Sequence, residues 1–408
     1  MSARTVFSPY ARLFAVPGSL AFSFAGWLAR LPMPMIGLGA VLLVARETGS
    51  YGLAGAVAGT LALAGSVVSP QWARAMDRRG QGVVLRSSMA AYLAFGVAFV
   101  VVVVAGAPQW LWFVLAALTG ASGPNIGSMV RARWAHVLDA EARQTAFAFE
   151  SVVDEVVFVV GPPLVTLLAT LLAPPVGILT GLLIGGVGGL WLSGQPATEP
   201  PAHPLEAGSR SRWTAALSPT LFVVAVTYLA IGGVFGAMDV VVVGFAQAEG
   251  APALAGVALA VYAGGSLVAG LVYGIVRLPG TLAGRFVGCA VFFGLAAQTL
   301  LAVGSLAVLV PAGFVAGLAI APVLVAGMSL VESRVSRSAL TEALAWTTTG
   351  LTLGFSAGSA LAGSAVDAWG AEAAFGVPAL AAGLAALLAL GGSPMLRRTA
   401  VPAGSPTR

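Results

Sequence analysis

A few charged side chains stand inside or at the start of the long apolar runs of this chain. They are Arg30, Asp154, Glu155, Asp239 and Glu342. A charge at bilayer depth costs about 2.5–3.5 kcal/mol on insertion scales, so it is rarely kept without a partner or a role. These five residues are therefore candidates for binding a proton, an ion or a polar group of a solute.

The acids around residue 154 are divided between two faces of a helix by their spacing. Glu150 and Asp154 are four residues apart and share one face, whereas Glu155 points about 100° away from Asp154. Glu150 lies nearer the end of the run. We therefore expect it to be solvated, or paired with Arg143 or Arg133.

Other candidates carry a second interpretation of equal or greater weight. Asp239 is the only acid in its run. It binds a proton or cation, or it is a hydrogen-bonded packing residue, or it pairs with Arg30. Glu342, Trp346 and Thr349 share a helical face, but Glu342 also suits a helix start and Trp346 a membrane interface. Asn125 follows Gly-Pro, and an intramembrane amide often bridges helices.

The composition places these residues in a membrane protein. Of the 408 residues, 58% are hydrophobic and 9% are charged, whereas soluble domains are about one quarter charged. This excludes a soluble enzyme, a disordered chain and a nucleic-acid-binding domain. Apolar runs long enough to span a bilayer predict twelve transmembrane helices, with a kink in the first at Pro32 and Pro34. The predicted segments are 15–44, 53–75, 83–105, 108–133, 145–172, 176–193, 217–245, 252–275, 283–304, 307–331, 338–365 and 371–391.

One polar stretch divides the twelve segments into two equal sets. It reads SGQPATEPPAHPLEAGSRSR and is rich in Pro, Gly and Ser, as linkers are. We predict a first six-helix bundle over 1–192, a cytoplasmic linker over 193–214, a second bundle over 215–393 and a cytoplasmic tail over 394–408. Two six-helix halves are a known transporter architecture.

The arginines predict the orientation of the chain. All 20 basic residues are arginine, and 18 of them fall on one side if both termini are cytoplasmic. Arginine marks cytoplasmic loops of inner-membrane proteins, so we predict a multi-pass protein of the inner or plasma membrane with both ends inside.

The loop after the second segment carries a recognisable motif. The sequence WARAMDRRGQ places Asp77, Arg78 and Gly80 as in the Gly-x-Leu-x-Asp-Arg-x-Gly-Arg motif of the major facilitator superfamily, which this chain resembles over its whole length. Ala73 and Gln81 depart from the motif. ARLPMPM, ESVVDEVVFVVGPPL, GGVFGAMDVVVVGFA and TEALAWTTTG are similar to an actinobacterial branch of efflux permeases.

The resemblance implies alternating access, in which two pseudo-symmetric six-helix bundles rock around a central site. It implies that Asp77 and Arg78 lock the cytoplasmic side. The alternative for this loop is a solvated segment that sets topology, with Gly80 making a tight turn. The resemblance also brings the first and fifth helices to one cavity, so we expect either Asp154 or Glu155 to pair with Arg30. The other acid would carry a proton, because burial favours its neutral form.

A second motif is incomplete. Gly161 and Pro162 match the Gly-Pro core of the antiporter signature in the fifth helix, but Val157, Val165 and Thr166 stand near it where glycines are usual. The pair serves either exchange transport or a proline kink that shapes the bundle.

The sequence lacks the motifs of an enzyme. It has no phosphate-binding loop of the Walker type, no cysteine pair or His-x-x-x-His metal motif, and no serine nucleophile with an available histidine. We predict no enzymatic activity, no cofactor and no metal. The function predicted is export of a small organic molecule in exchange for protons, by a monomer in a lipid bilayer and without nucleic acid. The alternative is a proton-coupled importer or facilitator.

Overall fold

In the computed structural model, the described residues are 13–202, 218–276, 279–335 and 340–398. All regular structure in these ranges is helical. The helices are α1 (Ser19–Arg30), α2 (Pro32–Thr48), α3 (Tyr51–Arg79), α4 (Gln81–Val104), α5 (Gln109–Ser122), α6 (Ile126–Val137), α7 (Ala140–Leu171), α8 (Pro174–Ser193), α9 (Pro219–Ala248), α10 (Leu254–Ile275), α11 (Leu282–Ala296), α12 (Leu306–Gly317), α13 (Ile320–Arg334), α14 (Leu340–Trp369), α15 (Ala371–Ala374) and α16 (Gly376–Arg398), with short 3-10 turns at Pro196–Thr198 and Ala297–Ala302.

Eleven helical stretches in the described ranges are long and apolar enough to cross a membrane. The predicted segment 338–365 corresponds to α14, which has 30 residues but is not among the eleven. Its threonines, serines and glycines lower its mean hydropathy, although its length suffices for a span.

The prolines act differently in the first and fifth predicted segments. The first segment is broken at Leu31, and Pro32 begins α2, where its missing N–H costs nothing. The interruption falls where Pro32 and Pro34 predict a kink, and Leu31 itself keeps a helical φ of −52° and ψ of −36°. By contrast, α7 continues through Pro162 and Pro163 to Leu171.

The chain packs as two compact units. The first comprises residues 13–49, 60–202 and 252–260, and the second comprises 50–59 and most of the described chain from 218 onward. Two long helices are therefore shared, because α3 begins in the second unit and α10 begins in the first. In the first unit α8 packs on α1, α2 and α4, and α7 packs on α2.

The second unit is built around α9, the most buried long helix there. It packs on α14 and α16, and α11 packs on α13 and α16. A Cβ on Gly232 would collide with the backbone of Leu351, and one on Gly354 with that of Leu229. Glycine thus permits α9 and α14 to touch backbone to backbone, as small residues do between membrane helices.

Part of the predicted linker is folded onto the first unit. Arg133, which is fully buried, donates to the side chains of Gln81 and Thr198 and to the carbonyls of Leu192 and Gln195. Residues 203–214 of the predicted linker lie outside the described residues, as does 399–408 of the predicted tail; α16 runs on to Arg398.

Candidate functional site

Two arginines and two carboxylates form a connected cluster in the first unit. Arg30 Nη2 donates to Glu150 Oε2 at 2.5 Å, and Arg30 Nη1 donates to Asp154 Oδ1 at 2.7 Å. Arg131 Nη2 donates to the other oxygen of Asp154, Oδ2, at 2.6 Å. Of the two pairings expected for Arg30, with Asp154 or with Glu155, the structure shows the one with Asp154 on α7.

Helix register explains why these side chains meet. The antiparallel helices α6 and α7 are joined by only two residues, and Asp139 caps the start of α7 by accepting from Ala142 N at 2.9 Å. Three positions back along α6, from Trp134 to Arg131, correspond to four positions forward along α7, from Glu150 to Asp154. Each α6 side chain therefore reaches its own carboxylate.

Glu150 is the buried member of the cluster. It is 0% exposed and accepts hydrogen bonds from Arg30, from Trp134 Nε1 at 2.7 Å and from Ser23 Oγ at 3.4 Å. The expectation that Glu150 is solvated or paired with Arg143 or Arg133 is therefore wrong. Spacing along α7 placed it nearer a helix end, but α1 and α6 enclose it.

Arg30 is held as firmly as Glu150. It ends α1, is 5% exposed, and its Nε donates to the carbonyl of Gly26 at 3.0 Å. An aromatic wall closes the site on this side, since the ring of Trp134 lies 4.6 Å from that of Phe22 and 6.2 Å from that of Phe14. A buried charge needs such complete pairing to be tolerated.

Asp154 and Arg131 form the accessible edge of the cluster. Their side chains are 35% and 32% exposed. Both carboxylate oxygens of Asp154 accept from arginines. By contrast, only one of the five N–H donors of the Arg131 guanidinium bonds to a described residue. The cluster therefore has a saturated inner half and an outer half with open hydrogen-bonding capacity.

The N-terminus of α6 borders that accessible edge. Asn125 is exposed and caps α6 by accepting from Ser128 N at 3.1 Å. A Cβ placed on Gly127 would lie 3.1 Å from Arg131 Nη1, 3.6 Å from Asn125 Oδ1 and 3.9 Å from Arg30 Cδ. Because Gly127 has no side chain, the guanidinium of Arg131 can approach the first turn of α6 this closely.

Asp239 occupies a different environment in the second unit. It is partly buried in α9 and has no hydrogen bond or ion pair with any described residue. It lies nine residues before the end of α9, and Tyr262 lies eight residues after the start of α10, so both are about 13 Å from the same end of this hairpin. Tyr262 is buried, and its hydroxyl has no hydrogen-bond partner among the described residues.

The remaining candidates do not join either group in the contacts described above. Glu155 is partly buried on the helix position after Asp154. Trp346 is 39% exposed on α14. Glu342 lies in the first turn of α14, and its side chain is outside the described part of the chain.

The carboxylate of Glu199, which the sequence analysis did not single out, lies next to the loop motif. Gly80 has φ +87°, which explains the glycine in this turn, and Asp77 and Arg78 are exposed at the end of α3. Glu199 from the linker accepts from the N–H of Gly82 at 3.1 Å at the start of α4.

The Gly-Pro pair of α7 is packed, since a Cβ on Gly161 would press on the ring of Pro34.

Two further charged residues were missed. Arg131 is one of the 18 arginines that the predicted orientation places on the cytoplasmic side, although it stands inside a stretch of 29 residues that qualifies as a span. Asp367 was not considered. Its carboxylate accepts from Ser50 Oγ, Tyr51 N and Gly52 N, each at 2.8 Å, and so caps α3 within the second unit. No local signal links Asp367 to a position more than 300 residues earlier.

Solved membrane transporters resemble this chain over nearly its whole length. An auto-inhibited peptide transporter of the POT family has TM-score 0.69 and 14% identity, covering 94% of this chain and 98% of that chain. A bacterial homologue of the human lysosomal transporter Spinster, inward-facing and unoccupied, has TM-score 0.70 and 15% identity, with coverages of 95% and 98%. The nucleoside transporter NupG has TM-score 0.66 and 15% identity, with coverages of 93% and 98%. At these identities the likeness establishes the fold alone.

Comparison with curated protein sequences finds no match. The sequence model described as Major Facilitator Superfamily matches residues 18–277, which is more than half of the chain. The helices, the two compact units and this match agree with the resemblance carried by Asp77, Arg78 and Gly80. The chain is a membrane-spanning secondary transporter with the all-α fold of two six-helix bundles, and it belongs to the Major Facilitator Superfamily.

Proposed function

We propose that this chain couples the transport of a small organic molecule to the movement of protons, with Asp154 as the coupling group. The observation that carries the proposal is the position of Asp154. It is the only carboxylate of the described cluster that is both accessible and bound to two arginines. A proton can therefore reach it, and its charge state controls its neighbours.

Protonation of Asp154 changes the cluster in a defined way. A neutral carboxyl group holds a guanidinium far less strongly than a carboxylate does. Arg131 would be released, because Asp154 is its only acceptor among the described residues. Arg30 would stay in place, because Glu150 and the carbonyl of Gly26 continue to hold it.

The charged groups around Asp154 come from three helices. Arg30 ends α1, Arg131 lies on α6, and Glu150 and Glu155 lie on α7 itself. Of the other helices packed on α7, α8 contains no charged residue and α2 carries charge only near its far end, at Arg46 and Glu47. The two arginines therefore dominate the field at Asp154.

A second candidate mode rests on Asp239. Asp239 has no partner among the described residues, and the Tyr262 hydroxyl, at a similar depth in the next helix, has none there either. Such a carboxylate suits a cationic group or a proton, one at a time. Competition of this kind gives exchange, which is the mode that the sequence predicts for export. In that mode Asp239 carries the coupling, and the solute is cationic.

The test uses cells that lack their major efflux pumps. Accumulation of a panel of fluorescent dyes and antibiotics is measured with and without a protonophore, for the unmodified chain and for Asp154→Asn, Asp239→Asn and Glu249→Gln. Glu249 is exposed at the end of α9 and serves as the carboxylate control. All variants are compared at equal membrane abundance.

The outcomes separate the two modes. Loss of protonophore-sensitive transport in Asp154→Asn alone supports coupling at Asp154, and loss in Asp239→Asn alone transfers coupling to Asp239. Lower accumulation than in empty cells indicates export, and higher accumulation indicates import. Normal protonophore-sensitive transport in both variants overturns the proposal that either carboxylate couples the proton.

We also propose that the chain works as a monomer in the inner or plasma membrane with both termini cytoplasmic, and that the bundles comprise 1–192 and 215–393. The arginine distribution supports this orientation. Cysteine labelling from either side, in a chain whose single Cys289 is replaced by serine, tests it at each loop.

A further inference from the structure

The geometry points to Arg131 as the group that binds the transported molecule, and to an organic anion, such as a carboxylate, as the chemical class of that molecule. This inference rests on the proposed coupling role of Asp154. It adds the identity of the binding group and the charge of the solute. The argument begins with the hydrogen-bonding capacity of the two arginines in the cluster.

The two arginines of the cluster differ in how many of their donors are used. Arg30 is buried and directs Nε, Nη1 and Nη2 to three acceptors, which are Gly26 O, Asp154 and Glu150. Arg131 directs only Nη2 to a described acceptor and is 32% exposed. A guanidinium presents two donors in one plane to a carboxylate, and only Arg131 has an edge available for such a pair.

The surroundings of Arg131 also suit an anion. Nη1 lies so close to Gly127 that a Cβ there would be 3.1 Å from it, so the guanidinium packs against the first turn of α6. Ile126 and Gly127 are the first two residues of α6, and the N–H groups of a first turn have no acceptor within the helix. The positive end of the α6 dipole adds to the charge of Arg131. An accessible guanidinium and a helix N-terminus therefore lie side by side.

The charge balance of the cluster links the anion to the proton. Arg30 and Arg131 together balance Glu150 and Asp154 while both acids are ionised. A proton on Asp154 leaves one net positive charge and releases Nη2 of Arg131. The anion therefore binds best when Asp154 is protonated, so that the proton and the anion occupy the site together.

The experiment measures binding to the purified full-length protein in detergent. The probes are benzoate, benzylamine and benzyl alcohol, which share one aromatic body and differ in the charge of the head group. Phenyl phosphate is added to compare a phosphate with a carboxylate. Binding is followed at pH 8 by the shift of the thermal unfolding midpoint with ligand concentration.

The variants separate the charge of Arg131, its packing against Gly127 and the competing acid. They are Arg131→Gln, Gly127→Val and Asp154→Asn, with Arg46→Gln as a matched control, since Arg46 is exposed at the other end of α2. Asp154→Asn should bind benzoate about tenfold more tightly than the unmodified protein at pH 8, because the competing charge is gone.

Arg131→Gln should weaken benzoate binding by about tenfold or more, and Gly127→Val should weaken it while leaving the charge intact. Benzylamine and benzyl alcohol should not respond to any of these changes. Equal benzoate affinity in Arg131→Gln and the unmodified protein overturns the inference, as does preference for benzylamine or absence of benzoate binding even in Asp154→Asn.

Failure of the anion-binding inference can be distinguished from failure of the proposal that Asp154 couples the proton. If Asp154→Asn keeps normal protonophore-sensitive transport, Asp154 is not the coupling group, whatever binds at Arg131. If Asp154→Asn loses that transport but Arg131→Gln binds benzoate as well as the unmodified protein does, Asp154 remains the coupling group and Arg131 is not the anion-binding group. Rescue of benzoate binding in Arg131→Lys, relative to Arg131→Gln, would show that positive charge at this position is what the anion requires.

Discussion

The first unit surrounds its intramembrane charges with partners, whereas the second unit leaves one carboxylate alone. Glu150 accepts from three side chains and is 0% exposed. Asp239 accepts from no described residue and lies near a tyrosine hydroxyl that also lacks a partner. Both carboxylates lie on helices that qualify as membrane spans.

The difference shows how an intramembrane charge can serve either stability or transport. A charge that meets all its donors inside the protein costs much to remove, because its partners are then left buried and unpaired. A charge without partners stabilises nothing in the fold and stays available to a proton or a solute. Asp154 stands between these cases, because it has two partners and is still accessible.

The contrast between the units is tested most strongly by truncating Glu150, which has three donors, and Asp239, which has none among the described residues. Glu150→Ala should lower the free energy of unfolding by about 3–5 kcal/mol, because Arg30 loses a buried partner. Asp239→Ala should leave it unchanged or raise it, since no described residue bonds to Asp239. Unfolding in detergent, followed by circular dichroism, measures both. Equal destabilisation by the two variants would contradict the contrast.

Removing one donor to Glu150, the Nε1 of Trp134, should give the next largest change in the free energy of unfolding. Trp134→Phe keeps an aromatic ring against Phe22 but removes the Nε1 hydrogen bond to Glu150, so we expect a loss of about 1.5–3 kcal/mol. Trp112→Phe is the matched control, because the buried Nε1 of Trp112 has no hydrogen-bond partner in the part of the chain that the structure describes. The two variants are compared by the same unfolding measurement. A loss in Trp112→Phe as large as in Trp134→Phe would attribute both effects to ring packing.

The second unit has a carboxylate that does have partners, and it sharpens the comparison. Asp367 caps α3 through three acceptor contacts, so Asp367→Asn should cost about 0.5–2 kcal/mol of unfolding free energy, as loss of a cap does. Amide hydrogen exchange at residues 51–59 should quicken in the same variant. If Asp367→Asn leaves the free energy of unfolding unchanged while Glu150→Ala lowers it, the unit in which a carboxylate lies, and not its number of partners, determines its contribution to stability.

The smallest effect is expected at Tyr262. Tyr262→Phe removes a buried hydroxyl that bonds to no described residue, so the free energy of unfolding should stay the same or rise slightly. Tyr228→Phe removes a hydroxyl that donates to the carbonyl of Leu324, and it should cost about 0.5–1.5 kcal/mol. Unfolding curves for the pair measure the difference, and the reverse order would show that Tyr262 bonds to a group of the chain.

Much of the architecture is readable from local pattern. The lengths of the apolar runs place the helices, Pro32 places the break after Arg30, and the glycine motif places the positive φ at Gly80. Spacing also places Glu150 and Asp154 on one helical face. Each of these features depends on residues close together in the sequence, where helix geometry is fixed.

The partners of the charged residues are not readable in this way. Arg131 and Arg133 stand two residues apart, and sequence reasoning gave both the same role in setting topology. In the structure Arg131 binds Asp154, whereas Arg133 is buried against the end of α8 and the linker. Their side chains leave α6 in different directions, and the neighbouring helices determine what each one meets.

The sequence by itself determined that this chain spans a membrane, where its helices lie, and which charges must be accounted for inside them. These follow from hydropathy and from the cost of charge in hydrocarbon, which depend on residue type alone. Only the tertiary structure decided that Glu150 is enclosed, that Arg131 keeps an open edge, and that Asp239 has no described partner. The reason is physical: whether a buried charge is satisfied depends on donors that arrive from helices distant in sequence.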